Sequence, residues 1–136
     1  GQAKCANALF AIEMDRRGKA HGIRAFAVHP GGIRTPLQRY LTMEEQIAMG
    51  WYDKDGNVNP LFKSAEGGAA TSLWCATSPL LEGQGGVYCE DCNIAALWEE
   101  GMNPYAGVRA YAVDSGAAAQ LWTLSEAMTG IAFAAD

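Results

Sequence analysis

The chain has 136 residues, of which 49% are hydrophobic and 18% are charged, a composition typical of a protein that buries a core rather than of a disordered segment. Its formal net charge is −5, and no segment gathers the lysines and arginines that a nucleic acid or an anionic membrane surface would require. No apolar stretch approaches the roughly 20 residues of a membrane span. We therefore predict a cytoplasmic protein that binds neither nucleic acid nor membrane.

The first predicted helix runs from Gln2 to Arg17. Apolar residues recur along it at three- and four-residue spacing, namely Ala6, Leu9, Phe10 and Met14. Gly18 supplies a stop, and Glu13 is expected to pair with Arg16 or Arg17. Because no capping residue precedes this helix, we expect the chain to be part of a longer polypeptide.

The next predicted element is a buried strand, residues 23–29, which ends at the loop Pro30-Gly31-Gly32. Residues 35–62 show no long period and contain several helix and strand breakers, namely Gly50, Asp55-Gly56 and Asn59-Pro60. We predict that they form a mobile insertion with at most one short helix, near Met43 to Met49.

The rest of the chain predicts a helix, a strand and a last helix. Ser64 is a plausible cap for the second helix, which ends at Ser78. Val87 to Cys89 follow as a second short strand, and Asp114 or Ser115 caps the last helix. Helices that separate the strands favour parallel β-α-β units. Because two strands do not make a stable sheet alone, another chain or an absent amino-terminal half is expected to supply the rest.

Four cysteines, Cys5, Cys75, Cys89 and Cys92, occur in a chain large enough to fold without disulfides. The spacing of Cys89 and Cys92 would suit a redox pair or half of a zinc site. No second pair and no suitably spaced histidine completes a set of four metal ligands. We interpret the two cysteines as free thiols at a strand end, and we predict no metal site.

Four stretches of the chain match, in order, the motifs of a known family. The first is residues 1–7, Gly-Gln-Ala-Lys-Cys-Ala-Asn, and the second is residues 28–35, Val-His-Pro-Gly-Gly-Ile-Arg-Thr. The third is residues 63–77 with residues 85–88, and the fourth is residues 114–130. In this order they resemble the short-chain dehydrogenase/reductase family, in its retinol-dehydrogenase-like branch.

The resemblance implies an α/β fold, the carboxy-terminal part of a doubly wound parallel-sheet (Rossmann-like) domain whose amino-terminal half is absent. Residues 1–136 would be the carboxy-terminal half of one domain, with residues 36–62 as the substrate lid and residues 114–130 as the terminal helix. It implies an enzyme that transfers a hydride between NAD or NADP and a carbonyl or alcohol. The phosphate loop, the catalytic Ser and the catalytic Tyr of the family are not in the sequence, so we do not expect the 136 residues alone to bind the cofactor.

The resemblance also assigns site residues. Lys4 corresponds to the lysine of the Tyr-x-x-x-Lys motif, whose Tyr would precede Gly1; its cation would lower the pKa of that Tyr and bind the nicotinamide ribose. The Pro-Gly-x-x-x-Thr loop would bind the nicotinamide through four of its residues, namely Pro30, Gly31, Ile33 and Thr35. Backbone at the first two would approach the ring, main-chain groups of the third would bind the carboxamide, and the threonine hydroxyl would bind the amide or pyrophosphate.

Large apolar side chains concentrate in residues 36–62, where we predict substrate contacts at Met49, Trp51 and Tyr52. Burying an apolar ligand gains about 25 cal/mol per Å², so a hydrophobic carbonyl or alcohol is favoured. The same side chains would equally serve to anchor the loop.

Partners and alternative functions stay open at this stage. The resemblance implies a homo-oligomer, a dimer or tetramer that makes contact through residues 2–17 and 63–89, or a pairing with the absent amino-terminal half. A different hypothesis is a non-catalytic assembly piece whose exposed sheet edge pairs with another chain. A third is a thiol-redox module built on Cys89 and Cys92.

Overall fold

The computed structural model describes residues 1–133. Its helices are α1 (Gln2–Gly18), α2 (Met43–Ala48), α3 (Ala65–Thr77) and α4 (Ser115–Thr129). Its strands are β1 (Phe26–His29), β2 (Gly32–Ile33), β3 (Phe62–Lys63), β4 (Val87–Glu90) and β5 (Asn93–Ile94). Single 3₁₀ turns lie at Lys19–His21, Pro36–Gln38, Pro79–Leu81 and Ala110–Ala112. None of the described helices is both long and apolar enough to cross a membrane.

The strands form two small sheets. In the first, β1 pairs in parallel with β4, and β4 pairs antiparallel with β5. In the second, β2 pairs in parallel with β3. The chain passes from β1 to β4 through α3, which is the predicted β-α-β order. The expected α/β fold with a parallel-sheet portion is therefore confirmed.

Strand β1 begins three residues later than the apolar run predicts. Residues 23–25 form hydrogen bonds with the end of α1 and are not part of the strand. The Ile23 N–H donates to the Gly18 carbonyl at 3.0 Å, and the Ala25 N–H donates to the Asp15 carboxylate at 3.1 Å. Phe26–His29 then pair with β4.

The core lies between α1, α4 and the sheet. Its buried apolar residues include Ala8, Leu9, Ala11, Cys89, Ala118 and Trp122. The Phe10 ring stacks on Trp122 with centroids 5.2 Å apart, and the Arg17 guanidinium lies 4.9 Å from a Trp122 ring. Aromatic and cation–π contacts therefore complete the α1–α4 interface at its edge.

Two acidic residues of α1 are buried, contrary to the apolar face that periodicity predicts. Asp15 accepts hydrogen bonds from Arg24 Nε at 2.8 Å and from the Ala25 N–H, and a Cβ on Gly85 would overlap its Oδ1 atom. Glu13 is 1% exposed and binds Arg16 and Arg17 at 2.6 and 2.7 Å. Buried carboxylates are tolerated where arginines neutralise them, so charge pairing overrides the apolar pattern.

The stability of the fold should depend on pH through Glu13. The hydrogen bond from Arg16, opposed by burial and assisted by Arg17, lowers the pKa of Glu13 from the ordinary 4.5 to about 2. A lowered pKa stabilises the fold above pH 4.5, and this contribution, about 2–3 kcal/mol, is lost as the pH falls toward 2. Urea unfolding of wild type and Glu13→Gln across this window should show a smaller pH-dependent loss in the variant. Equal losses would exclude this role for Glu13.

Helix α3 begins where predicted, because the Ser64 hydroxyl accepts from the Gly67 N–H at 3.1 Å. Helical spacing in the sequence predicts a packed face made of Ala69, Ala70, Leu73, Trp74 and Thr77, but the structure packs a different face. The buried residues of the helix are Gly68 and Thr71 instead. A Cβ on Gly68 would lie 2.7 Å from Ile33 Cγ1 and would overlap Cδ1. Gly68 therefore faces β2, where Ile33 packs directly on the helix backbone, and the Thr71 hydroxyl accepts from the Cys92 N–H in the turn after β4 at 3.2 Å.

Candidate active site

The two parallel strands of the first sheet end side by side. His29, the last residue of β1, is in register with Glu90, the last residue of β4. The loop at residues 30–32 and the turn at residues 91–92 therefore leave the sheet at the same edge. In open α/β sheets, ligands bind in the crevice outside the carboxyl ends of the strands.

A cleft of about 400 Å³ opens at this edge, within the usual size range of small-molecule sites. Its lining residues are His29, Gly31, Gly32, Met49, Gly50, Trp51, Asn59, Leu61, Phe62, Lys63, Glu90, Asp91, Asn103 and Tyr105. The structure thus brings residues from four segments to one place: the end of β1 with the loop after it, the predicted lid with β3, the end of β4 with the turn after it, and the stretch between β5 and α4.

The predicted substrate residues divide between the cleft and its surroundings. Met49 and Trp51 line the cleft, and the Trp51 ring packs edge-on against Phe62 with centroids 5.8 Å apart. Tyr52 lies outside it, in a bridge with Val58. Adjacent residues of an extended segment point to opposite sides, so Trp51 and Tyr52 cannot both face the cleft.

The predicted lid contains more secondary structure than its breakers suggest. It contains α2, as expected near residues 43–49, and the 3₁₀ turn at Pro36–Gln38. The 3₁₀ turn begins with a capping box at Thr35, and α2 begins with a capping box at Thr42. Near its end, residues 62–63 form β3, which the sequence did not predict. A two-residue strand carries no detectable alternation, so no sequence signal marks it.

The loop after β1 is held in place by side chains on both sides. Gly31 has a φ of +86°, a conformation that favours glycine, and its N–H donates to His29 Nδ1 at 3.0 Å. The Lys63 side chain lies over Gly31, with Cε 2.9 Å from the position of a Cβ, and its ammonium pairs with Asp91. The ion pair joins the end of the lid to the turn after β4. Pro30, the preceding loop residue, is exposed and does not line the cleft.

Main-chain groups of Ile33 and Thr35 bind the side-chain carboxamide of Gln38. The Ile33 carbonyl accepts from Gln38 Nε2 at 2.9 Å, and the Thr35 N–H donates to Gln38 Oε1 at 2.8 Å. The Thr35 hydroxyl accepts from the Leu37 N–H at 3.3 Å. Neither Ile33 nor Thr35 lines the cleft, and both are engaged with Gln38. Their contact with a nicotinamide carboxamide stays a prediction.

Lys4 lies apart from the cleft. It is in the first turn of α1, its side chain is exposed, and its ammonium makes no ion pair within residues 1–133. Within the described residues, the charge of the Lys4 ammonium is therefore not neutralised by an acidic side chain.

The cysteines do not form an obvious reactive pair. All four thiols are free. Cys89 is buried in β4, and burial, with the neighbouring Cys75, raises its pKa to about 12. A thiol with a raised pKa stays protonated at neutral pH and is a poor nucleophile. Within the described residues, no group of three or more potential metal ligands occurs.

Several known proteins are similar to this chain, although no family model matches it. A probable oxidoreductase of Streptomyces lividans is 46% identical over 124 residues, 90% of this chain and 41% of that protein. A short-chain dehydrogenase/reductase of Penicillium roqueforti is 34% identical over 96% of the chain and 38% of its own length. Human retinol dehydrogenase 14 is 32% identical over 96% of the chain and 34% of its own length.

The chain spans about two fifths of the length of the relatives it matches. The alignments include nearly every residue of this chain. The homologues of this chain are thus short-chain dehydrogenase/reductases and retinol dehydrogenases, which it matches over nearly all of its own residues.

Proposed function

We propose that the natural protein carrying this chain is an oxidoreductase that transfers a hydride between NAD or NADP and the carbonyl or alcohol carbon of an apolar substrate. One observation carries the proposal. Gly31 of the predicted cofactor loop and Met49 and Trp51 of the predicted lid line the same cleft at the ends of β1 and β4. The relatives support it, because their names are those of oxidoreductases and dehydrogenases.

The loop residues fit the nicotinamide end of such a cofactor. Ile33 and Thr35 already bind the carboxamide of Gln38, and a nicotinamide carboxamide offers the same donor and acceptor. The bound cofactor would supply or accept the hydride. The described residues offer no phosphate loop, because Gly83–Gly86 precede β4 rather than joining a strand to a helix.

The chain's own residues would bind and position the substrate and would exclude water from it. Met49, Trp51 and Leu61 give the cleft an apolar side, which removes water from the body of a substrate. Lys4 would lower the pKa of the family's acid/base tyrosine, since a nearby cation favours the phenolate.

Cofactor binding tests the proposal directly. Calorimetric titration of the natural protein with NADH and with NADPH should show saturable binding of one or both. Replacement of Gln38 by alanine frees the Ile33 and Thr35 groups and should leave that binding intact or make it tighter. No binding of either nucleotide would overturn the proposal.

The apolar side of the cleft can be tested with a matched pair of methionines. Met49 and Met43 lie at the two ends of α2 and are 51% and 47% exposed, but only Met49 lines the cleft. Met49→Ala should raise KM for a long-chain aldehyde about fivefold, equivalent to about 1 kcal/mol of lost apolar contact. Met43→Ala should leave KM unchanged. Equal effects of the two substitutions on KM would mean that the position of Met49 in the cleft does not contribute to substrate binding.

A second candidate function is the non-catalytic assembly piece, which one observation favours. Strand β1 lies at the edge of its sheet, beside a hollow of about 640 Å³ lined partly by Phe26, Val28 and Leu81. An unpaired edge next to an apolar hollow suits the addition of another strand. A protein that forms a stable complex but binds neither nucleotide would support this candidate over the first.

A further inference from the structure

The stretch between β5 and α4 contains only one 3₁₀ turn, at Ala110–Ala112, but it is closed at its base by backbone hydrogen bonds. The Val108 N–H donates to the Ala96 carbonyl, and the Trp98 N–H donates to the Val108 carbonyl, both at 2.9 Å. Residues 98–108 therefore form a closed loop, which we call the 98–108 loop.

Glu90 fixes the base of the 98–108 loop to the main sheet. Its carboxylate accepts from the Gly107 N–H at 2.7 Å, and Glu90 is the last residue of β4. Gly107 has a φ of +74°, and a Cβ there would lie 2.9 Å from the Ala96 carbonyl oxygen. Only glycine fits this close approach, so the loop leaves the strand end at a defined place.

The tip of the loop is also held. Trp98 Nε1 donates to the Asn103 carbonyl at 3.2 Å, and the Arg109 guanidinium stacks 3.3 Å above a Trp98 ring. The Asn103 side chain accepts from the Tyr105 N–H at 3.0 Å. These contacts fix the backbone of Tyr105, whose side chain is 79% exposed and lines the cleft together with Trp51.

We propose that Tyr105 is a specificity-determining residue, held by the 98–108 loop, and that Tyr105 and Trp51 together favour flat, aromatic aldehydes and ketones. The proposal rests on the proposed function and names its substrate class. Aromatic side chains gain the most from stacking on a flat apolar partner. A straight-chain aldehyde presents no such face, so it loses less when the Tyr105 ring is removed. Glu90 is a positioning residue that acts through Gly107.

The test compares two tyrosines of equal exposure. Tyr105→Ala should lower kcat/KM for an aromatic aldehyde by about two- to tenfold relative to a straight-chain aldehyde of the same carbon number. Tyr105→Phe should keep that ratio. Tyr40→Ala should leave it unchanged, because Tyr40 is 80% exposed and lies outside the cleft.

Glu90 is tested with two substitutions. Glu90→Gln keeps an oxygen that accepts from Gly107 and should keep the aromatic preference, whereas Glu90→Ala should weaken it as Tyr105→Ala does. A uniform loss across all aldehydes in Tyr105→Ala, or equal effects at Tyr105 and Tyr40, would overturn the proposal. If the wild type binds aromatic aldehydes without reducing them, the proposed reaction fails. Calorimetric binding of the two aldehydes by the same variants then decides the role of Tyr105.

Discussion

Replacing Lys4 with methionine should lower kcat by about 100-fold or more, the scale of a general acid–base contribution. The resemblance would put the acid/base tyrosine immediately before Gly1, four residues from Lys4, a spacing that brings two side chains to one face of a helix. The Lys4 ammonium is free of ion pairs within residues 1–133, so it is available to stabilise a phenolate. Lys19→Met is the control, because Lys19 is also exposed and follows the other end of the helix.

A pH profile distinguishes this role from a structural one. A phenol has an ordinary pKa of about 10, and the Lys4 cation would lower it. Its removal should therefore move the rising, acidic limb of alcohol oxidation to higher pH, where the tyrosine again loses its proton. A profile identical to wild type, with only reduced expression or stability, would contradict a role for Lys4 in proton transfer.

Two adjacent glycines of α3 should respond in opposite directions to alanine. Gly67→Ala should raise the free energy of unfolding by about 0.5–1 kcal/mol, because its Cβ would make only ordinary contacts and alanine favours the helix. Gly68→Ala should lower it by about 1–3 kcal/mol, because its Cβ would overlap Ile33 and the helix would have to move from β2. Urea unfolding of the two variants measures both.

Gly68→Ala should also weaken the binding of the nicotinamide cofactor. Ile33 carries the carbonyl that binds the Gln38 carboxamide, so its displacement should raise KM for the nicotinamide cofactor while Gly67→Ala leaves it unchanged. Equal stabilities for the two variants would mean that Ile33 does not pack on α3 as described. Lower stability without a change in KM would mean that the position of Ile33 does not affect cofactor binding.

The regular parts of the fold were predictable because their signals are local. Ser64 and Asp114 cap α3 and α4 as their side chains indicate, and the apolar runs mark β1 and β4. The hairpin between β4 and β5 was not predictable in this way. Asp91 and Cys92 adopt φ values of 49° and 55° without the glycine that normally signals such a turn.

The candidate site was only partly predictable for a related reason. Gly31, Met49 and Trp51 were found because a motif or an apolar cluster marks them. Tyr105 was missed because it lies in an irregular stretch, whose place at the cleft depends on contacts such as the hydrogen bond between Glu90 and Gly107. A contact between residues 17 positions apart has no local pattern.

The measurement that tests the central claim most directly is the oxidation of NADH and NADPH by the natural protein in the presence of apolar aldehydes. We expect turnover with at least one cofactor, and its loss in Lys4→Met while Lys19→Met stays active. A protein that is folded by circular dichroism but shows neither turnover nor nucleotide binding would contradict the assignment of the cleft as a reductase active site.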